Sequence, residues 1–256
     1  MELAYGHPKS LLPIQTKYCP GCGHGVIHRL IAEVIDELGV QDKSIIMNPV
    51  GCSIWADLYF DFDSVQVPHG RTPAGATGVK RMLPDHLVVC YQGDGDLAAI
   101  GTAEAIHAAN RGEKFTTIFV NNAIYGMTGG QMAPTTLIGQ HATTAPYGRD
   151  PEGAGMGYPI RVLEMFATLG GTRYLARGAV NNAANIRKTK GYIKKAFEAQ
   201  MRGEGSTMVE ILSQCPTNWG MDPVEGVKWL ESDMIPFYKL GEVKDELSTA
   251  VKEASK

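Results

Sequence analysis

The chain has 256 residues, 44% of them hydrophobic and 20% charged, enough apolar material to close a full core. Its net charge of −3 and pI near 6.2 argue against a nucleic-acid backbone or an anionic membrane surface as partner. No apolar run reaches the roughly 18 residues of a membrane span, and residues 1–15 lack the basic and apolar regions of a secretory leader, so the expectation is one soluble, cytoplasmic domain over residues 1–256.

Along the chain, the first chemical signal is Cys19-Pro20-Gly21-Cys22, just ahead of helical spacing in Val26, Ile27, Leu30, Ile31, Val34 and Leu38. A β-prone run at 44–48 leads to Gly51-Cys52-Ser53, and a second at 64–67 leads to His69-Gly70-Arg71. The third, 87–92, ends on Gly93-Asp94-Gly95-Asp96 and is followed by a helical stretch at 97–110. The fourth, 115–120, ends on Asn121-Asn122. Residues 123–158 are rich in Gly, Thr and Pro and have no period, which suits a lid or a surface against a partner. A helix at 160–169, a strand at 172–177, a helix at 184–200 and a strand at 207–212 come next, and the last strand leads to Cys215-Pro216.

Strands alternating with helices predict an α/β fold with a doubly wound, mostly parallel sheet. Right-handed crossovers turn all carboxyl ends of such strands to one edge, where ligands bind, and the polar motifs from Gly51 onward all follow strands. Residues 216–239 carry Trp219, Trp229, Phe237 and Tyr238, too apolar to leave in water, and read as a C-terminal extension that covers the site or contacts a partner.

Gly93-Asp94-Gly95 between strand and helix allows a tight turn and lets backbone N–H groups approach a phosphate; alone it reads equally as a helix cap. With Asn121-Asn122 at the end of the next strand, Asp94, the Asn122 amide oxygen and the Ile124 carbonyl supply hard oxygen ligands of the kind Mg²⁺ takes beside a phosphate. Five cysteines in a reducing compartment suit metal or redox work better than disulfides. Cys19, Cys22, Cys52 and Cys215 fit zinc, an iron–sulfur cluster or a reducible dithiol, although Cys52 and Cys215 form no second Cys-x-x-Cys knuckle. Cys90, inside an apolar run, reads as a buried structural thiol. His24 and His28 read as packing residues, and Lys188, Lys190, Lys194 and Lys195 as a solvated helix face.

Gly93-Asp94-Gly95 and Asn121-Asn122 match the two ends of the thiamine-diphosphate motif. Together with Tyr18-Cys19-Pro20-Gly21-Cys22-Gly23-His24, Gly51-Cys52-Ser53, His69-Gly70-Arg71, Asn121-Asn122-Ala123-Ile124-Tyr125-Gly126-Met127-Thr128 and Cys215-Pro216-Thr217, the sequence resembles the β subunit of 2-oxoacid:ferredoxin oxidoreductases over roughly residues 17–240. The resemblance implies coenzyme-A-dependent oxidative decarboxylation of a 2-oxoacid, with electrons passing through a 4Fe–4S cluster on Cys19, Cys22, Cys52 and Cys215 to ferredoxin. It implies Mg²⁺ on Asp94, Asn122 and Ile124, and thiamine diphosphate against Gly51, Ser53, Gly93, Asp94, Gly95, Asp96, Asn122, Ile124, Tyr125, Gly126, Met127 and Thr128. His69 and Arg71 are candidates to hold the diphosphate or the substrate carboxylate, or else form a surface ion pair. No carboxylate in these motifs suits activation of the aminopyrimidine ring. The family supplies it from an α subunit, in some complexes alongside γ and ferredoxin-like δ subunits.

Where related subunits place a lysine in the 125–131 loop, this chain has Met127, Gly129 and Gly130, and Ile54 and Trp55 stand beside Cys52. These favour a branched-chain 2-oxoacid such as 2-oxoisovalerate, with 2-oxoglutarate next. The competing readings are a non-redox thiamine-diphosphate decarboxylase or synthase, which has no use for four spaced cysteines, and a zinc-stabilised non-catalytic subunit, which leaves the Mg²⁺ motif idle.

Overall fold

A computed structural model of the protein describes residues 6–247. The ends of the expected 1–256 domain, residues 1–5 and 248–256, lie outside the described residues. Seven strands form one sheet in the order β2-β1-β3-β4-β6-β5-β7: β1 Ser44–Asn48, β2 Asp63–Gln66, β3 Leu87–Gly93, β4 Thr116–Asn121, β5 Thr172–Ala179, β6 Ser206–Leu212 and β7 Gly241–Asp245. The first six run parallel; β7 adds to β5 antiparallel. All six expected strands are present with small shifts at their ends.

Burial on both faces explains why the central strands are continuously apolar: β1, β4 and β6 are buried throughout, and β3 to its last residue. Alternate residues serve opposite layers. Val89 and Tyr91 of β3 join the core beneath α1 (His24–Leu38) and α5 (Ala183–Met201). Val88 and Cys90 join the core beneath α2 (Thr72–Met82) and α3 (Thr102–Asn110). Cys90 is fully buried there, as its setting in the sequence suggests. Helix α1 turns Ile27, Leu30, Ile31, Val34 and Ile35 inward and stops at Gly39, whose φ of 65° is the left-handed end conformation that favours glycine. The expected helix at 97–110 begins instead as a wider π turn, Asp96–Ile100, before α3, and the one expected at 160–169 is the shorter α4 (Val162–Ala167).

The aperiodic 123–158 segment is tied down by a buried arginine. Arg149 donates to the carbonyls of Gly157 (2.8 Å), Pro134 (3.0 Å), Thr136 (2.6 Å) and Tyr158 (2.9 Å), so one cation organises several turns. The aromatic extension packs on this segment within the same chain. Trp219, at the end of α6 (Pro216–Trp219), and Trp229, at the end of α7 (Pro223–Trp229), lie 4.5 Å apart. Tyr238 is fully buried among Ala123, Leu137, Leu230 and Met234. Among the described residues no helix is long and apolar enough to cross a membrane.

Candidate functional site

A cleft of about 150 Å³ opens at the carboxyl ends of β1, β3 and β4. All twelve residues expected against the cofactor line it, as do His69 and Cys52. A Cβ at Gly95 would stand 3.0 Å from the Tyr125 ring, a tight contact that needs the ring to give by a few tenths of an ångström.

Asp94 anchors the oxygen-bearing wall. Its buried carboxylate accepts from Gly95 N (2.9 Å), Ile124 N (3.1 Å) and the Thr135 hydroxyl (3.0 Å). Burial pushes its pKa up to about 7, and these hydrogen bonds oppose that rise. With the Asn122 amide nitrogen turned inward, it donates to Ile124 O at 2.7 Å and to Asp94 Oδ2 at 3.2 Å. With the oxygen inward, three oxygens face one another over those distances, close to the octahedral edge of about 2.9 Å set by Mg–O bonds of 2.0–2.1 Å. Such crowding is favourable only around a cation, and the residues fit Mg²⁺.

A buried ion pair holds this turn from below. Arg177 Nε donates to Glu210 Oε2 at 2.7 Å, Asn121 Nδ2 donates to Glu210 Oε1 at 2.7 Å, and Ala123 N donates to Asn121 Oδ1 at 3.1 Å. Ala123 is held at φ 56°, which orients the residues on either side of it, Asn122 and Ile124. Trp219 Nε1 also donates to the Asn122 carbonyl at 3.1 Å.

Asp96 is a local hub. It accepts from His69 Nδ1 (2.8 Å), Gln92 Nε2 (2.6 Å), the Thr72 hydroxyl (3.2 Å) and Gly70 N (2.5 Å), and so fixes the His69 loop to the Gly93–Asp96 turn. Arg71 is not brought to the cleft. Its guanidinium, 47% exposed, pairs with Glu104, the surface ion pair that was the other reading. Ile54 and Trp55 also stay off the cleft lining, with Trp55 lying beneath Lys17 (5.3 Å).

The sulfur-bearing wall gathers its four cysteines from three remote segments. Cys22 N donates to Cys19 O at 3.0 Å in a tight turn, and the turn packs so closely that a Cβ at Gly23 would stand 2.3 Å from the Ser213 hydroxyl. A Cβ at Gly126 would lie 3.5 Å from Cys52 Sγ and 3.6 Å from Cys215 Sγ. Burial, and then the nearness of Cys215, Cys52 and Cys19, push the Cys22 thiol up to about 12; burial and Cys215 and Cys19 lift Cys52 to about 11. Ionised together, four thiolates on one wall would repel one another without a cation-rich centre to join them, and such a donor set fits an iron–sulfur cluster. Among the described residues no three His, Cys, Asp or Glu side chains converge tightly enough to ligate a single metal ion.

The sequence reading missed Thr135, a lone threonine in an unpatterned loop, and His24, which lines the cleft. His24 Nδ1 meets the Tyr91 hydroxyl at 2.5 Å, and burial lowers its pKa to about 4. A buried tyrosine inside a strand does signal a nearby partner, although not which one.

Fold and cleft together define a thiamine-diphosphate-binding domain, and a family model described as "Thiamine pyrophosphate enzyme, C-terminal TPP binding domain" matches residues 50–211. The chain is 48% identical over 236 residues to the ketoisovalerate oxidoreductase subunit VorA of Methanothermobacter marburgensis, covering 92% of this chain and 49% of the relative. It is 36% identical over 235 residues to the 2-oxoglutarate synthase subunit KorB of Methanocaldococcus jannaschii, covering 90% and 82%. A solved structure, 2-oxoglutarate:ferredoxin oxidoreductase from Magnetococcus marinus with 2-oxoglutarate, coenzyme A and succinyl-CoA bound, superposes with a TM-score of 0.79 at 28% identity, covering 99% of this chain and 91% of that one. The chain therefore belongs to the thiamine-diphosphate-binding subunits of the 2-oxoacid:ferredoxin oxidoreductase family. It spans about half the length of the VorA relatives it matches.

Proposed function

We propose that this chain is the subunit that carries thiamine diphosphate, Mg²⁺ and a 4Fe–4S cluster in an enzyme converting a 2-oxoacid and coenzyme A into acyl-CoA, CO₂ and a proton, with two electrons leaving singly to ferredoxin. The observation that carries the reading is that Cys52 lines the same cleft as Asp94, Asn122 and Ile124. Thiamine diphosphate, when bound, supplies a nucleophilic carbon for the 2-oxoacid carbonyl, and the cluster supplies a one-electron acceptor beside it.

In this reading Asp94, the Asn122 amide and the Ile124 carbonyl hold Mg²⁺ against the diphosphate, and the Gly93–Asp96 turn lets the backbone approach it. Asp96 keeps the His69 loop in place, with His69 facing the diphosphate end. Cys19, Cys22, Cys52 and Cys215 hold the cluster, which makes the N-terminal segment cluster-binding. Four thiolates beside a cofactor that gives up electrons suit a redox cluster better than a structural zinc ion. The two carboxylates in the cleft, Asp94 and Asp96, are both engaged, and Glu104 is paired with Arg71. An α-type partner chain therefore supplies the carboxylate that activates the cofactor, and this chain alone is inactive.

Among the described residues no lysine or arginine lines the cleft, and Val50, Ile100 and Met127 are among its walls. A second carboxylate, as on 2-oxoglutarate, finds no counter-ion on this chain, whereas a branched aliphatic group finds apolar contact. With the VorA likeness, this favours 2-oxoisovalerate; the KorB relatives and the solved neighbour make 2-oxoglutarate the second reading.

The test is to purify the chain with its partner without oxygen, measure iron, sulfide and zinc, and screen 2-oxoacids for coenzyme-A-dependent dye reduction. Iron and sulfide with turnover of 2-oxoisovalerate is the expected result. Zinc in place of iron, or no coenzyme-A-dependent reduction with any 2-oxoacid, overturns the reading.

A further inference from the structure

His24 faces the cleft from the sulfur-bearing side. Its ring stacks on Tyr18 at 4.7 Å and 13° between planes, and the Tyr18 hydroxyl donates to the Cys52 carbonyl at 3.1 Å. The imidazole is therefore locked to the loop that carries Cys52. Its Nδ1 is taken by Tyr91, a fully buried phenol whose hydroxyl lies 2.5 Å away. A phenol donating here makes Nδ1 the acceptor and puts the ring hydrogen on Nε2, the arrangement the proposal below requires. Nε2 is the ring nitrogen left for the cleft that His24 lines. The cleft's other imidazole, His69, is tied by Nδ1 to Asp96 on the diphosphate side.

The position decides what this donor meets. Asp94, Asn122 and Ile124 collect at the end suited to Mg²⁺ and diphosphate, whereas electrons have to leave toward the cysteines. In that reading the reacting carbon of the substrate lies toward the cysteines, in the cleft that His24 lines. We propose that His24 Nε2–H donates a hydrogen bond to the carbonyl oxygen of the 2-oxoacid. It stabilises the negative charge that develops there, and Tyr91 is the positioning residue that fixes its tautomer. The proposal rests on the functional reading above.

The experiment uses the complete complex and the variants His24→Phe, His24→Gln and Tyr91→Phe. Four quantities are measured: iron content, the Kd of thiamine diphosphate with Mg²⁺, kcat and KM for 2-oxoisovalerate, and the calorimetric Kd of an acylphosphonate that mimics the 2-oxoacid carbonyl. His24→Phe lowers kcat about 100-fold and weakens the acylphosphonate about 10-fold, the scale of one lost donor to a developing oxyanion, while iron and the thiamine diphosphate Kd hold within about threefold. His24→Gln, which keeps an N–H, recovers about 10-fold of the lost kcat, and Tyr91→Phe loses about 10-fold. If His24→Phe keeps wild-type kcat and acylphosphonate affinity, or loses iron or thiamine diphosphate in step with activity, the proposal is overturned. A wild-type complex that turns over no 2-oxoacid overturns the functional reading, and the proposal with it. An active wild type with an unimpaired His24→Phe overturns the proposal alone.

Discussion

The oxygen-bearing and sulfur-bearing walls of the cleft are assembled by different means. Asp94, Asn122 and Ile124 come from the ends of two adjacent strands, β3 and β4, and are braced by neighbours at ordinary hydrogen-bond distances: Thr135, Trp219 and the chain Arg177–Glu210–Asn121–Ala123. Cys19, Cys22, Cys52 and Cys215 come from loops far apart in sequence, and of their sulfurs Cys215 Sγ receives a bond, from Asn218 Nδ2 at 3.4 Å. The first wall is held in shape by the chain's own hydrogen bonds, although its inward oxygens still call for a cation. The second has few such bonds and, in the proposed reading, depends on what binds there to join its cysteines.

Removing a thiolate should therefore have the largest effect. Cys52→Ser should abolish the iron signal and coenzyme-A-dependent reduction while thiamine diphosphate with Mg²⁺ still binds within about tenfold of wild type, because the oxygen wall stands by itself. Combined loss of cluster and cofactor binding would show that the two walls are one unit.

Breaking the brace of the oxygen wall comes next. Glu210→Ala leaves Arg177 buried with one carboxylate fewer and should destabilise the chain by about 3 kcal/mol in denaturant titrations, the low end for a broken buried pair because Glu164 still meets Arg177 at 2.7 Å. It should also weaken Mg²⁺ binding while leaving iron content unchanged. A loss of iron with retained Mg²⁺ affinity would reverse the assignment.

A smaller effect is expected at the mouth. Met127 is 43% exposed on the cleft rim, and Met127→Lys adds the missing cation there. It should raise kcat/KM for 2-oxoglutarate relative to 2-oxoisovalerate by about 10-fold, measured with both substrates in the same preparation. An unchanged ratio would move substrate selection to the partner chain.

The smallest is a pH slope. In the ligand-free chain Asp94 titrates near 7, above its ordinary 3.8, so its contribution to stability is complete below about pH 4 and disappears as pH rises through about 7. Melting temperature should therefore fall between about pH 4 and pH 7, Mg²⁺ with thiamine diphosphate should restore it at the upper end, and Asp94→Asn should flatten the slope. A slope that survives in Asp94→Asn would place its origin elsewhere.

The difference between the walls also explains what could be read without coordinates. Ligand atoms that chemistry requires had to be particular side chains, so Asp94, Asn122 and the four cysteines stood out, and doubly buried parallel strands such as β3 and β4 showed as apolar runs. The supports were less legible. Arg149 and Thr136 bind backbone carbonyls, which every sequence has. Helix α2 begins Thr72-Pro73-Ala74-Gly75-Ala76-Thr77-Gly78, a poor helix former held by packing against β1 and β3. Strand β7 is an edge strand with Glu242, Lys244 and Asp245 and has no apolar alternation. His24 looked like a core residue because its partner, Tyr91, lies in a strand far along the chain.

The most direct test of the shared cleft is electron paramagnetic resonance of the complete complex, frozen after anaerobic addition of 2-oxoisovalerate and coenzyme A. A reduced iron–sulfur signal that grows with substrate in wild type, and is absent in both Cys52→Ser and Asp94→Ala, is the result predicted here. A sample without iron, or a cluster that stays oxidised while acyl-CoA accumulates, would contradict it.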